Sequence, residues 1–432
     1  METEHKYDLS GLRNFLDTSP SPFHAVNNAK QLLEQHGFTE ISRTDDWKSR
    51  TDKHFSIRDG SLIAWFSSSN CPFENGFRII GAHTDSPNIR LKPLQEHPST
   101  TFEQLSVEIY GSPLINSWLD RDLGMSGRVV VQTESLEQKL FLTDDPICRI
   151  PQLAIHLDRE INDKGLKLNP QSHLTPIWAD ASPSFLTFNE WLGEQLSVKS
   201  SEIMSWDLML HDTQRSEFLG ANKEWLASAR IDNLISCYAA ILALSAVEKE
   251  TLDTTPLVCL FDHEEVGSVS TSGASGDFLA GTLKRLMSDT PEEGRAQAYE
   301  NSLCLSVDGS HATHPNYPDR HDPNHVVRLN GGIVIKRNAN QRYATDAVGE
   351  AIAKKICTKA GVSHQVFSNR NDLSCGSTIG PTTAANLGVR TIDVGVPQLS
   401  MHSAREICGV KDQNDLRLFC ETFFRLDGIT SE

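Results

Sequence analysis

No apolar run in this chain approaches the ~20 residues that a membrane-spanning helix requires. Met1 to Pro20 contain no apolar core of a secretory leader. The nine cysteines are scattered, odd in number and never spaced C-x-x-C, which excludes a regular disulfide framework. A reducing, cytoplasmic setting is the simplest one consistent with these absences. Basic charge is also scarce: 40 Lys and Arg stand against 57 Asp and Glu, a net charge of -17. Sequence-independent nucleic-acid binding needs a basic surface and is excluded on that ground. The same surplus would repel acidic peptides, so an acidic substrate would require a local positive group. Internal repeats and low-complexity tracts are absent.

What is present is a chain of 432 residues, long enough for about two domains. Ser21 to Gly37 reads as a helix, with Ser21 as cap, Pro22 in the first turn and Gly37 at the end. Phe77 to Gly81 reads as a strand running into Ala82-His83-Thr84-Asp85. Beyond Pro93 the texture changes to short strands separated by turns, at Leu105 to Tyr110, Arg128 to Gln132 and Lys139 to Thr143. From Ile231 helix and strand alternate again. Asp232 opens a helix with Leu234, Cys237, Ile241 and Leu244 on one face. Leu257 to Phe261 is wholly apolar, the pattern of a strand buried on both faces. Further strands are predicted at Leu303 to Val307, Ile333 to Lys336 and Arg390 to Val394, and helices around Thr345 to Lys359 and Leu416 to Leu426. The expected architecture is α/β: a central, mostly parallel or mixed sheet flanked by helices, built from residues 1–93 and 231–432. It is interrupted by a β-rich domain, residues 94–230.

Five segments place His, Asp and Glu next to predicted strand ends: His83-Thr84-Asp85, Arg230-Ile231-Asp232-Asn233, Asp262-His263-Glu264-Glu265, Val307-Asp308-Gly309 and Met401-His402-Ser403. In open α/β sheets ligands gather beyond the carboxyl ends of strands, so residues distant in sequence can converge there. A hydrolytic two-metal site needs about two ligands per ion, one bridging carboxylate and a further carboxylate to accept a proton. Imidazole and carboxylate ligands suit zinc, cobalt or manganese. His83, Asp232, Glu264, Glu265, Asp308 and His402 supply the right types in the right number. Each alone has a plainer explanation. Asp232 could simply cap its helix, and Asp308-Gly309 is a common turn pair. Their joint occurrence carries the argument.

These segments, with His314-Pro315-Asn316-Tyr317, Asn340-Gln341-Arg342-Tyr343-Ala344, Cys375-Gly376-Ser377-Thr378-Ile379-Gly380-Pro381, Trp118-Leu119-Asp120-Arg121-Asp122 and Leu153-Ala154-Ile155-His156-Leu157, resemble the aspartyl aminopeptidase family in order and over nearly the whole chain. The resemblance implies two divalent ions per chain, zinc first, with cobalt or manganese as alternatives. His83 and Asp308 would bind one ion, Glu265 and His402 the other, and Asp232 would bridge them. Glu264 would be the general base toward a metal-bridging hydroxide, and Asp85 would orient His83. Lys336 would face an acidic side chain of the substrate, against the plainer reading of a lysine reaching for solvent from a strand end. Tyr343 would lie near the reacting carbonyl. His156, otherwise a histidine of an amphipathic helix, would reach a neighbouring subunit's site. Peptide substrates and a homo-oligomer, a dodecamer built from dimers through the β-rich domain, follow from the same resemblance. Three alternatives stand beside this reading: a di-metal deacylase or carboxypeptidase, an aminopeptidase preferring neutral N-terminal residues, and a non-catalytic assembly protein that keeps the metal cage.

Overall fold

The computed structural model describes residues 8–47, 51–67, 73–95, 101–181, 186–249 and 252–426. The chain divides into two compact units: Met1–Asp85 with Ser216–Met401 and Glu406–Glu432, and Ser86–Arg215 with His402–Arg405.

The first unit is α/β. Its nine-stranded sheet runs in the order Thr39–Glu40, His54–Arg58, Ser61–Trp65, Thr255–Phe261, Phe77–His83, Leu303–Val307, Arg390–Gly395, Ile333–Arg337, His364–Ser368. The sheet is mixed. Phe77–His83 lies parallel to both its neighbours, and Arg390–Gly395 is parallel to Leu303–Val307. Ser61–Trp65 runs antiparallel to both its neighbours, and Ile333–Arg337 is antiparallel to Arg390–Gly395 but parallel to His364–Ser368. Every residue of Phe77–His83 and of Thr255–Phe261 is buried, because alternate side chains enter two different cores. Ile80, Ala82, Val258 and Leu260 pack with helices Ser10–Thr18, Pro22–Gln35, Ile231–Ala246 and Val410–Phe424. Phe77, Ile79, Leu257, Cys259 and Phe261 pack on the other face with Phe278, Leu279 and Leu283 of helix Phe278–Leu286. A second sheet of short strands contains Glu217–Leu219, Trp225–Ser228, Glu406–Gly409, Pro397–Leu399 and Ser310–His311.

The second unit is β-rich. Five antiparallel strands lie in the order Val107–Tyr110, Asn88–Leu91, Ile203–Asp212, Leu123–Gln132, Leu136–Leu142. The unit begins at Ser86, ahead of the change of texture at Pro93, because Asn88–Leu91 pairs with Val107–Tyr110 and with Met209. Its core joins Leu123, Met125, Val129 and Val131 to Leu208, Leu210, Phe188 and Leu192. Helix Phe188–Leu196 starts at a capping box in which the Thr187 hydroxyl accepts the Glu190 N–H and the Glu190 carboxylate accepts that of Thr187.

All eight cysteines among the described residues are free thiols. Among those residues no helix is long and apolar enough to cross a membrane.

Candidate metal centre

Four strands of the first unit run parallel, so their carboxyl ends share one edge of the sheet. His83 ends one strand. The Glu264–Val266 turn follows Thr255–Phe261, and Asp308 follows Leu303–Val307. Asp232 sits in the first turn of helix Ile231–Ala246, and the Asp232–Asn233 peptide bond is cis. Its backbone N–H donates to Glu406 Oε2 at 2.9 Å, and the Asn233 side chain donates to the Val307 carbonyl at 2.7 Å. The first bond ties the helix start to strand Glu406–Gly409, and the second ties it to strand Leu303–Val307, which delivers Asp308. The close approach of strands here needs a glycine: a Cβ on Gly395 would stand 1.7 Å from the Asp308 carbonyl oxygen.

The His83 ring is enclosed by carboxylates. Nε2 lies 3.4 Å from Asp232 Oδ1 and 3.6 Å from Asp308 Oδ1. Nδ1 lies 2.9 Å from the Asp85 carbonyl oxygen and 3.4 Å from Asp85 Oδ1. Possible ligand atoms of His83, Asp232 and Glu265 all lie within 4.8 Å of one another. Asp85 also binds backbone, its carboxylate oxygens accepting the N–H groups of Glu264 at 3.2 Å and Glu265 at 3.1 Å. Asp85 thus meets the imidazole most closely through its backbone carbonyl, while its buried carboxylate clamps the turn that carries both glutamates.

Burial opposes charge on His83, yet the carboxylates of Asp232, Asp308 and Asp85 outweigh it and hold the imidazole well above its ordinary range. Glu264 is raised to about 8, chiefly by burial; His83 opposes the rise, and the carboxylates of Asp308, Asp85 and Asp232 add to it. Such a concentration of negative charge around one imidazole calls for a cation. A divalent ion meets that need better than a proton, because it takes the nitrogen lone pair and several oxygens at once. The donor set, one imidazole nitrogen with carboxylate oxygens, fits zinc.

Lys336 is 2% exposed, so it does not reach for solvent. Its Nζ lies 3.6 Å from Asp308 Oδ2 and 5.4 Å from the centre of the Tyr343 ring. Tyr343 is buried beside Phe367, and burial raises its hydroxyl pKa. His402 belongs to the second unit, where its Nδ1 lies 3.0 Å from the Ser112 carbonyl oxygen. That bond leaves the ring in the tautomer whose Nε2 carries the lone pair.

His156 does not lie on an amphipathic helix. Leu153-Ala154-Ile155-His156-Leu157 forms an exposed turn, and Leu153, Ile155 and Leu157 are 56%, 47% and 74% exposed. Without a buried apolar face within the unit, so short a segment has nothing to stabilise a helix. His314 and His325 organise their loop: the Asn316 N–H donates to His314 Nδ1 at 3.1 Å, and His325 Nδ1 lies 2.8 Å from Asp322 Oδ1. Among the buried carboxylates that escape a reading of the sequence, Glu406 and Asp393 are bonded to the segments described here. Glu406 stands three residues beyond Ser403, outside the short segment around His402. Asp393 is flanked by apolar residues, with no neighbouring His or Glu to mark it.

A protein family described as Aminopeptidase I zinc metalloprotease (M18) matches residues 15–424. The "Probable M18 family aminopeptidase 2" of Streptomyces avermitilis is 46% identical over 408 residues, 93% of this chain and 94% of the relative. The "Probable aspartyl aminopeptidase" of Ricinus communis is 38% identical over 470 aligned residues, 97% of this chain and 96% of the relative. Among solved structures, a chain of the "S. cerevesiae mApe1 dodecamer" superposes with a TM-score of 0.84 at 30% identity, covering 96% of this chain and 95% of that one.

Proposed function

The chain belongs to the M18 family of aminopeptidase I zinc metalloproteases, hence to the metal-dependent aminopeptidases, and from that premise we propose that it removes Asp or Glu from peptide N-termini. The observation that carries the substrate class is Lys336, an ammonium buried inside an otherwise acidic site, 3.6 Å from Asp308 Oδ2. A buried lysine is costly unless something anionic uses it. The name of the Ricinus communis relative supports the same class.

His83, Asp232, Glu265, Asp308 and His402 would hold two divalent ions, with Asp232 shared between them. Bound metal would polarise the scissile carbonyl and lower the pKa of a water. Glu264 takes the proton from the attacking water and returns it to the leaving amine. Asp85 holds Glu264 and Glu265 in place through their N–H groups. Tyr343 packs beside Lys336 and would contribute to substrate binding near the reacting carbonyl.

The same reading includes a homo-oligomer, a dodecamer built from dimers. The dodecameric state of the similar S. cerevesiae protein and the exposed Leu153, Ile155 and Leu157 support it. His156, in that exposed turn, would serve a neighbouring copy's site.

Digestion of a peptide library after repletion with zinc, cobalt or manganese tests the proposal. Release of N-terminal Asp and Glu ahead of other residues, abolished by N-terminal acetylation, is the expected outcome. A preference for Leu or Ala would overturn the substrate class while leaving the aminopeptidase assignment intact.

A further inference from the structure

Asp393 is fully buried in the middle of strand Arg390–Gly395. This strand runs between the one bearing Ser306 and the one bearing Lys336. Its bonds are unusually directed for a core carboxylate. Oδ2 accepts the Ala344 N–H at 2.6 Å, and Oδ1 accepts the Thr378 hydroxyl at 2.5 Å. Its own N–H donates to the Thr345 hydroxyl at 2.8 Å. Thr378 is also the cap of helix Ile379–Leu387. That helix closes tightly on the carboxylate: a Cβ on Gly380 would stand 2.3 Å from Asp393 Oδ2.

Asp393 therefore gathers two loops. One is Tyr343-Ala344-Thr345 and the other ends at Thr378. They are also joined directly, by Arg342 Nε donating to the Cys375 carbonyl at 3.2 Å and by the Ser377 hydroxyl donating to the Arg342 carbonyl at 3.1 Å. Tyr343 is fixed between them with Lys336 Nζ beside its ring. Burial raises the pKa of Asp393, and its hydrogen bond from Thr378 and the charge of Lys336 draw it back down.

We propose that Asp393 is a positioning residue for recognition of the acidic N-terminal side chain. Without touching substrate, it fixes the backbone next to Tyr343 and so holds the ring against which the Lys336 ammonium sits. The proposal rests on the role given to Lys336 above.

The test uses the full-length, metal-repleted enzyme, with Asp393→Asn, Lys336→Met and the double variant. For each, kcat and KM are measured on matched Asp- and Leu-peptides, along with metal content and thermal unfolding. Asp393→Asn should lower the Asp-to-Leu ratio of kcat/KM by about tenfold, as expected for loss of one good buried hydrogen bond or charge contact. The loss should appear in KM for the Asp-peptide and vanish in the Lys336→Met background. Should Asp393→Asn fail to fold, Thr378→Val removes one donor to the same carboxylate and should shift the ratio in the same direction by less. An unchanged ratio in the folded variant, an equal loss on both peptides, or a loss additive with Lys336→Met would overturn the proposal. If Lys336→Met itself left the ratio unchanged, the acidic-substrate reading would fall first and the positioning role with it.

Discussion

Replacing Lys336 by Met keeps the length of the side chain and removes its charge. At 2% exposure the ammonium is shielded from the salt that screens surface charges beyond ~8 Å. The long-range field of a chain carrying -17 cannot favour an acidic peptide, so selection must come from this short-range contact. A hydrogen bond to a charged group contributes roughly 1.5–3 kcal/mol. Lys336 already leans on Asp308 at 3.6 Å, an attraction of about 5 kcal/mol at an effective dielectric constant of 20. An incoming carboxylate therefore gains only the surplus. At 1.4 kcal/mol per decade, the Asp-to-Leu ratio of kcat/KM should fall by about one to two decades in Lys336→Met. The change should come from the Asp-peptide, with far smaller change for the Leu-peptide. Parallel kinetics on Asp-, Glu-, Leu- and Ala-peptides, with metal content measured on the same samples, provide the assay. A fully metallated variant with the wild-type ratio would refute the reasoning.

Three further outcomes follow from other parts of the molecule. Glu264→Gln should keep both metals and lose roughly 10²–10⁴ in kcat, whereas Glu265→Gln should lose metal by elemental analysis; the reverse pattern would mean that ligand and base have been exchanged. Oligomers formed from His156→Ala and Glu264→Gln chains should be more active than the sum of the separate variants, and no gain in demonstrably mixed particles would confine His156 to its own subunit. His24, buried near Arg230, has its pKa lowered from 6.5 to about 4. A depressed folded-state pKa means that this stability is present in full above pH 6.5 and is lost as pH falls toward 4, up to about 3 kcal/mol in all. His24→Asn should flatten that part of the stability-versus-pH curve in chemical denaturation, and an unchanged slope would remove His24 from the account.

Legibility from sequence follows the reach of each interaction. Thr255–Phe261 is visible because burial on both faces forces an unbroken apolar run. Helix Ile231–Ala246 is visible from its periodic apolar face, and His83 and Asp308 from their places just past apolar strands. Strands of two to four residues, such as Ser310–His311, Pro397–Leu399 and Glu406–Gly409, carry no periodic signal, and only distant partners make them strands. The same blindness hides Glu406 and Asp393, whose hydrogen bonds reach Asp232, Ala344 and Thr378 across long stretches of chain. Asp85 reads as a partner of His83 alone because its second role uses backbone N–H groups that no side-chain pattern reveals. The Leu153–Leu157 stretch misleads because its apolar side chains suggest a helix face, yet they point outward.

The small segment His402–Arg405 completes the second unit from far along the chain. Ala404 joins that unit's core and donates its N–H to Ser117, while the Leu114 N–H donates to the His402 carbonyl at 2.8 Å. During synthesis, residues 86–215 emerge from the ribosome long before these partners do. Until residue 404 has been made, the unit lacks the bonds at Leu114 and Ser117 and the Ala404 side chain of its core. Contacts of such long sequence separation also slow folding. A nascent chain interrupted anywhere before residue 402 would lack both the closing segment of its second unit and a proposed metal ligand, so the order of synthesis itself would keep incomplete chains proteolytically silent.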